Sequence, residues 1–206
     1  KAYGCSCEEA CVMNIHSITS NWNKTVYDAY VNLLRTTTES MSAIIAGADS
    51  LTVNPYNSSF ENTTEFSERL ARNQQLLLKE ESYLDKVVDP AAGAYYIENL
   101  TDSIADQAWK LFLQVQDKGG FLEALKAGFI QETIETTSQE RDMAIATRKK
   151  ILLGTNQYPN PGEFIERKID PSVFSPLDKR AENESIPTLK TYRGAQAFEM
   201  LRYKTD

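Results

Sequence analysis

The sequence has only one histidine, His16, and three cysteines, so few metal ligands are available. Structural zinc sites usually combine two Cys or His pairs at short spacing, and the cluster of Cys5, Cys7 and Cys11 has no second pair. An odd cysteine count without secretory features favours reduced thiols. We therefore expect free cysteines and no bound metal, with an irregular zinc cluster near His16 as the alternative.

Long hydrophobic runs are also missing. No apolar stretch approaches the roughly 18–20 residues that a membrane span needs, and no segment resembles a secretory signal. The chain begins at Lys1 without an initiator methionine. We therefore expect a cytoplasmic chain with no membrane partner, excised from something longer.

Clustered positive charge is scarce as well. The net charge is −7, and the short basic run at residues 148–150 suits the C-terminus of a helix, where it meets the negative end of the helix dipole. Affinity for nucleic acid comes mainly from clustered Lys and Arg. This composition argues against nucleic acid as a partner.

What the sequence does contain is an ordinary globular composition, 41% hydrophobic and 25% charged, sufficient for one core. Short β-branched or apolar segments predict strands at residues 12–20, 48–54, 86–88 and 151–153. Apolar residues at helical spacing predict helices that alternate with the first three strands. The expected helix starts are the caps Thr25, Asn62 and Thr101, and the expected stops are Gly47, Glu81 and the Gly119-Gly120 pair.

The helices continue after this alternation. Residues 121–127 and 129–150 are predicted to be helical, and residues 95–97 are apolar and expected to pack. Five prolines follow residue 158, which favours an extended linker over residues 159–206, with helical character returning at 193–202. Alternating strands and helices, with about 30–40 residues in each strand–helix unit, are typical of parallel α/β folds. Three such units are too few to close a barrel.

One continuous stretch carries a family resemblance. It runs from the Arg72-Asn73 helix through the paired Glu80-Glu81 to the loop Val87-Val-Asp-Pro-Ala-Ala-Gly-Ala-Tyr-Tyr-Ile-Glu-Asn-Leu-Thr-Asp102. In that order and spacing it resembles the methylmalonyl-CoA mutase family, and the resemblance extends over most of the chain. It implies that residues 1–158 are the last three or so βα units of a TIM-type (β/α)8 acyl-CoA-binding barrel. Residues 159–206 would be the linker toward a cobalamin domain that is not in this chain.

A second stretch, at residues 14–32, is similar to the active-site strand of the catalytic family members. His16, Thr19 and Ser20 match this segment, and the resemblance implies that they bind substrate. Four residues of the following loop also match the segment, namely Trp22, Thr25, Asp28 and Tyr30. The glutamine that touches substrate in that family is replaced by Ile18, and the glycine beside the corrin by Asn21. An isoleucine leaves a polar substrate group unpaired, which costs about 1–3 kcal/mol, and a side chain in place of glycine obstructs close approach. The resemblance therefore implies no catalytic and no cofactor-binding residue here.

These departures resemble the small, non-catalytic subunit of the heterodimeric mutases. The implied function is a structural contribution to an isomerase that interconverts methylmalonyl-CoA and succinyl-CoA with adenosylcobalamin. The expected partners are a catalytic large subunit, the acyl-CoA substrate within the complex, and a second copy of the fragment through its uncovered strand edge. Two alternatives remain open: a catalytically competent acyl-CoA mutase with a divergent active-site strand, and a non-enzymatic helical interaction module.

Overall fold

The computed structural model describes residues 4, 6, 7, 9–163, 169–174, 186, 188, 189 and 191–205. The chain divides into two compact units. The first comprises residues 1–20, 30–58 and 62–90, and the second comprises residues 21–29, 59–61 and 91–206. Among the described residues, no helix is both long and apolar enough to cross a membrane.

The first unit is built around one β-α-β-α segment. After a 3-10 turn at Glu9–Cys11 come β1 (His16–Ile18), α1 (Val31–Ile45), β2 (Ser50–Thr52) and α2 (Glu65–Glu80). β1 and β2 pair in parallel, with His16 opposite Ser50, Ser17 opposite Leu51 and Ile18 opposite Thr52. The backbone N–H of Ile15 donates to Asp49 Oδ2 at 2.7 Å, which fixes where the pairing begins. The predicted strands at 12–20 and 48–54 are therefore confirmed, with shorter ordered cores.

Helices α1 and α2 are joined by polar contacts. The side-chain amide of Gln74 on α2 donates to Leu33 O at 2.7 Å and to Thr37 Oγ1 at 2.7 Å. Thr36, which is buried on α1, lies within 3.0 Å of the same amide. Because these partly buried donors and acceptors satisfy one another, they fix the relative rotation of the two helices.

Two of the caps predicted for the helices of this unit are wrong. α2 is capped by Thr64, whose hydroxyl accepts from the backbone N–H of Ser67 at 3.2 Å while the Ser67 hydroxyl receives the N–H of Thr64. The sequence pattern had placed this cap at Asn62. α1 begins at Val31, after turns that include Asp28 at φ 52°, so Thr25 caps no helix. The helix ends at Gly47 and Glu81 are confirmed to within two residues.

The second unit is mainly helical. Its elements are α3 (Tyr95–Asp117), α4 (Phe121–Lys126), α5 (Phe129–Ala146), a 3-10 turn at Pro171–Phe174 and α6 (Gln196–Thr205). Gly119 and Gly120 separate α3 from α4 at φ 89° and 93°, values that residues with a Cβ resist. The core of this unit comprises Ile145, Leu152 and Ala195, with Trp22 and Phe198 packed against them.

The start of α3 corrects a further prediction. The helix begins at Tyr95, six residues before the expected cap Thr101, because the turn ending at Gly93 leaves Ala94 extended and ready to start a helix. The side chains of residues 95–97 do not pack as expected. Tyr95 is 82% exposed and Tyr96 is 69% exposed.

The number of strands is also corrected. Residues 86–88 form no strand. The flanking residues Tyr83 and Asp89 adopt positive φ values of 54° and 47°, and Val88 is 96% exposed with no neighbouring strand. Residues 151–153 make one isolated bridge, Leu153 to Gln157. The described residues therefore form a helix-rich α/β fold with one two-stranded parallel sheet, and the expectation of three βα units is wrong by one strand.

Candidate substrate-facing site

The two strands present different faces because successive side chains alternate across a sheet. Leu51 lines two cavities of about 300 and 360 Å³ together with Gln75 of α2, so α2 lies on the Leu51 side. His16, Ile18, Ser50 and Thr52 occupy the opposite face, and all four are exposed. This exposed strand face places the one histidine and two hydroxyls next to a 61% exposed isoleucine.

His16 is held between the two hydroxyls of the neighbouring strand. Its Nδ1 lies 2.6 Å from Ser50 Oγ, and its Nε2 lies 3.1 Å from Thr52 Oγ1. A neutral imidazole donates through one nitrogen and accepts through the other, and a hydroxyl can serve either. The ring is thus oriented by both nitrogens, and neither contact is to a carboxylate that would prepare it as a general base.

Thr19 lies at the carboxyl end of β1, where it ties the two strands together. Its backbone N–H donates to Thr52 O at 3.1 Å, and its hydroxyl accepts from the backbone N–H of Asn54 at 2.9 Å. The Asn54 side-chain amide donates in return to Thr19 O at 3.0 Å. Thr19 is buried. Asn54, which with Pro55 marks the predicted end of the second strand, was not among the predicted site residues.

Ser20 follows at the exposed end of β1. Its backbone N–H donates to Glu39 Oε2 at 2.9 Å, which links the strand end to α1. The structure therefore brings two of the predicted substrate residues, Thr19 and Ser20, to the carboxyl end of one strand. His16 lies at the beginning of that strand, on its exposed face.

The Thr19 clamp gives a first testable prediction. Replacing Thr19 by valine preserves the shape of the side chain but removes the acceptor of the Asn54 N–H. We expect the free energy of unfolding to fall by about 1 kcal/mol, the cost of a half-buried donor losing its partner. Urea unfolding measures the change. The matched control is Thr38→Val, an exposed α1 hydroxyl that donates to Arg35 O, for which we expect less than about 0.5 kcal/mol. Equal effects at both positions would contradict the clamp.

The smaller of the two cavities lies in the first unit beside the end of β2. It is lined by Arg72 of the Arg72-Asn73 motif together with Glu68 and Thr63, whose hydroxyl donates to Glu68 Oε1 at 2.8 Å. Arg72 lines this cavity together with residues of 51–55.

In the second unit, the loop at residues 21–29 is held by the C-terminal segment. The backbone N–H of Gly194 donates to Trp22 O at 2.8 Å, and a Cβ built on Gly194 would lie 2.8 Å from Trp22 Cζ2. Two cations also lie near this indole. The guanidinium of Arg141, on α5, lies 5.4 Å from the centroid of the Trp22 ring, and the ammonium of Lys150, just after α5, lies 4.8 Å from it. Glycine at position 194 is therefore what allows the chain to approach the indole.

A buried ion pair completes this arrangement, which we call the loop clamp (residues 21–29 with Arg193, Gly194 and Glu199). Arg193 Nη2 lies 2.7 Å from Glu199 Oε2, and their side chains are only 7% and 2% exposed. Glu199 Oε1 accepts from the Val26 N–H at 2.7 Å, and Arg193 Nη1 donates to Lys24 O at 3.1 Å. The sequence predicted helical character at residues 193–202, and α6 confirms it. Pattern reasoning could not reveal the pairing of this segment with residues more than 160 positions away.

The cysteine cluster shows no metal geometry in the part of the chain that is described. Cys11 is an exposed free thiol, Cys7 is exposed, and Cys5 lies outside the described residues. Within the described ranges, no group of three His, Cys, Asp or Glu side chains could hold a metal ion.

The described residues form a helix-rich α/β protein with a small parallel sheet, a class in which sites are commonly built at the carboxyl ends of the strands. The family model for methylmalonyl-CoA mutase matches residues 1–202. This chain belongs to the methylmalonyl-CoA mutase family.

Individual relatives agree with that assignment. The chain is 50% identical over 203 residues to the methylmalonyl-CoA mutase small subunit of Porphyromonas gingivalis, covering 96% of this chain and 32% of that protein. It is 34% identical over 194 residues to the methylmalonyl-CoA mutase of Escherichia coli, covering 94% and 26%. It is 30% identical over 203 residues to the large subunit of P. gingivalis, covering 97% and 28%. The chain thus spans about a third or less of the length of these relatives.

Proposed function

We propose that this chain is part of the small subunit of a methylmalonyl-CoA mutase and supports a catalytic large subunit. The observation that carries the proposal is the exposed strand face, on which Ile18 stands beside His16 where the family resemblance expects an amide. The 50% identity to a small subunit supports it, against 30% to a large subunit of the same organism. The reaction would be the cobalamin-dependent interconversion of methylmalonyl-CoA and succinyl-CoA.

The exposed strand face fits the inner wall of a TIM-type barrel. In such a barrel, helices cover the outside of parallel strands, and the inward side chains meet those of other strands or a ligand. Here α2 lies on the Leu51 side, and the face of His16, Ile18, Ser50 and Thr52 is open. We accordingly propose residues 1–158 as the last part of the barrel domain and residues 159–206 as the following linker.

The predicted substrate contacts His16, Thr19 and Ser20 keep that role within the proposal. His16 and the hydroxyls that orient it could contact an acyl-CoA bound inside the barrel. Ser20 lies at the carboxyl end of its strand, where barrel sites are built. Thr19 would act indirectly because its hydroxyl already accepts the Asn54 N–H. In this view the strand face shapes the acyl-CoA channel without performing a proton transfer.

The described residues do not fit adenosylcobalamin. A histidine that ligates cobalt needs one ring nitrogen free of other partners, and both nitrogens of His16 face hydroxyls within 3.1 Å. The position of the family's corrin-side glycine is occupied by Asn21. We therefore assign the cofactor to the assembled enzyme and no cofactor contact to these residues.

A segment exchange tests the proposal. The matching third of the P. gingivalis small subunit is replaced by this chain, and the chimera is mixed with the P. gingivalis large subunit. We expect the chimera to assemble and mutase turnover to persist, since the exchanged segment supplies structure. Exchange of the corresponding large-subunit segment into the same small subunit is the matched control, and we expect it to assemble less well. Failure of the chimera alone to assemble would contradict a small-subunit role.

The reverse exchange, of this chain into the P. gingivalis large subunit, separates the catalytic alternative. If this segment belonged to a competent mutase with a divergent strand, the large subunit carrying it would keep its turnover of methylmalonyl-CoA. We expect that turnover to be lost. We also expect Ile18→Gln, which restores the amide, to leave the turnover of the assembled enzyme within about twofold. A tenfold or larger change, about 1.4 kcal/mol in barrier height, would place this face in the chemistry.

Cofactor binding by the chain on its own is a further prediction. Equilibrium dialysis of the 206-residue chain against adenosylcobalamin should show no stoichiometric binding up to 100 µM, an arbitrary ceiling of about 100-fold over a micromolar dissociation constant. The complete P. gingivalis enzyme serves as the positive control. Tight one-to-one binding by the chain would refute the assignment of the cofactor to the rest of the complex.

A further inference from the structure

The smaller cavity of the first unit contains two opposite charges that do not pair with each other. It has a volume of about 300 Å³ and lies between the end of β2 and the first half of α2. Glu68 and Arg72 both line it, four positions apart on α2. A glutamate four residues before an arginine is spaced to form an ion pair on a helix. Among the described residues, no ion pair within 4.0 Å joins these two side chains.

The reason lies at the start of α2. The hydroxyl of Thr63 donates to Glu68 Oε1 at 2.8 Å. Thr63 directly precedes the cap Thr64, so this bond draws the carboxylate toward the beginning of the helix and away from Arg72, which lies one turn further on. The second carboxylate oxygen, Glu68 Oε2, makes no hydrogen bond with any described residue.

The cationic side of the cavity is also unsatisfied. Within the part of the chain that the structure describes, the Arg72 guanidinium makes no hydrogen bond, ion pair or ring contact. The same holds for the side-chain amide of Gln75, which is half-buried and lines the same cavity. Partly buried polar groups are usually hydrogen-bonded. A guanidinium, an amide and a carboxylate oxygen that all lack partners in one cavity therefore indicate a polar ligand.

The remaining wall of the cavity is apolar. It is formed by Leu51, Val53 and Pro55 at the end of β2 and by Ala71 of α2. Cavities with an apolar wall and a few convergent polar groups are typical of small-molecule sites. The carboxyl end of a parallel strand is also where ligands of α/β proteins commonly bind. The ligand should therefore have an apolar part beside its charged groups.

The two charges define the chemistry of the ligand. The planar guanidinium of Arg72 matches a carboxylate, which it can bind through two parallel hydrogen bonds. Glu68 Oε2 matches an ammonium group. A simple anion would be repelled by Glu68, and a simple cation by Arg72, so the ligand that fits carries both charges.

The spacing of the charges narrows the class further. Side chains four positions apart on a helix start only about 5–6 Å from each other, so the two charges of the ligand must lie close together. An α-amino acid has its ammonium and carboxylate on one carbon atom. A Lys and an Asp or Glu from another polypeptide segment carry their charges at the ends of two separate side chains, which would both have to be ordered at this spacing.

We propose that this cavity binds a free α-amino acid with a small apolar side chain. Arg72 and Gln75 hold its carboxylate, Glu68 holds its ammonium group, and Leu51 and Val53 contact its side chain. At about 30 Å³ for each water-sized group, the cavity takes about ten non-hydrogen atoms, which suits leucine. The inference is independent of the mutase assignment, because it rests on β2 and α2 alone and is tested without turnover.

The first test compares leucine with two analogues that each lack one charge. Isothermal titration of the full 206-residue chain is carried out with L-leucine, with 4-methylpentanoate, which lacks the ammonium group, and with 3-methylbutylamine, which lacks the carboxylate. We expect a leucine dissociation constant of about 0.1–1 mM, as is usual for so small a ligand. Both analogues should bind at least tenfold more weakly.

The second test uses matched variants of α2. Arg72→Gln should weaken leucine binding at least tenfold. Arg69→Gln is the control, because Arg69 is an exposed arginine of the same helix that does not line the cavity, and it should change the affinity less than twofold. Neither side chain has a partner among the described residues, so the urea midpoint of both variants should equal that of the parent chain.

A third variant reverses the preference for the ligand. In Glu68→Gln the amide oxygen can still accept the Thr63 hydroxyl, but the negative charge is gone. We expect leucine to bind at least tenfold more weakly to this variant. Binding of 4-methylpentanoate should become at least threefold tighter, because the repulsion of its carboxylate is removed. A merely structural role of Glu68 would weaken both ligands alike.

Three results would overturn the proposal. One is the lack of saturable leucine binding up to about 10 mM, tenfold above the weakest affinity expected. Another is 4-methylpentanoate binding to the parent chain as tightly as leucine, which would assign the site to a carboxylate alone, as an Asp or Glu of another polypeptide could supply. The third is an equal effect of Arg72→Gln and Arg69→Gln, which would place the binding outside this cavity.

Discussion

Replacing Glu199 by glutamine is expected to lower the free energy of unfolding of the second unit by about 3–5 kcal/mol. The change keeps an oxygen acceptor for the Val26 N–H and removes only the negative charge. Arg193, whose side chain is 7% exposed, is then left as a buried cation without its anion. Removing one partner of a buried ion pair costs more stability than the pair itself contributes, because the remaining charge stays buried and is not hydrated.

The matched control is an ion pair of similar geometry on the surface. Lys126 Nζ lies 2.9 Å from Glu123 Oε1, with both side chains at least half exposed. Glu123→Gln should change stability by less than about 1 kcal/mol. Urea unfolding followed by tryptophan fluorescence compares the two variants, and hydrogen exchange at residues 21–29 gives the local effect. Similar small changes for both variants would show that the loop clamp contributes little.

Adding a single methyl group at Gly194 is the second large perturbation. The Cβ of Gly194→Ala would lie 2.8 Å from Trp22 Cζ2 and 3.0 Å from Cε2. The indole cannot retreat freely, since Ile145, Leu152 and Ala195 form the core against which it packs. We expect a loss of about 1–3 kcal/mol from this overpacking, measured by the same unfolding experiment.

Gly162→Ala separates this steric effect from the general consequences of replacing a glycine. At Gly162 an added Cβ would meet only Asn160 Oδ1, at 3.7 Å, which is an ordinary contact. A compatible Gly→Ala change is neutral or stabilising by up to about 1 kcal/mol. If Gly194→Ala were equally well tolerated, the close approach of the C-terminal segment to Trp22 would be wrong.

Local patterns predicted several elements correctly. The helical spacing after residue 129 and the glycines at 119, 120 and 128 located α4 and α5, because periodicity and positive φ are properties of neighbouring residues. The β-branched segments at 12–20 and 48–54 located both strands of the sheet for the same reason. The quoted motifs identified the family, and the match over residues 1–202 confirms it.

The predictions that were wrong or incomplete depend on contacts with other segments of the chain, which a local pattern does not contain. Residues 86–88 have strand-like composition, yet a strand exists only where a neighbour supplies hydrogen-bond partners. Thr64 caps α2 in place of Asn62 because a capping box forms with Ser67, in which each side chain accepts a hydrogen bond from the backbone N–H of the other residue. At the candidate site, His16, Thr19 and Ser20 were named in advance, but the Asn54 clamp and the Ser50 and Thr52 partners of His16 required the parallel register. Their role toward substrate stays a prediction.

The loop clamp has a consequence for how the chain acquires its structure during synthesis. The contact between Val26 and Glu199 spans 173 positions, so the segment just after β1 cannot be fixed until nearly all of these residues have left the ribosome. Closing so long a loop is slow compared with forming local helices. Residues 21–29, with their apolar Trp22, therefore stay without this clamp until Glu199 has been synthesised.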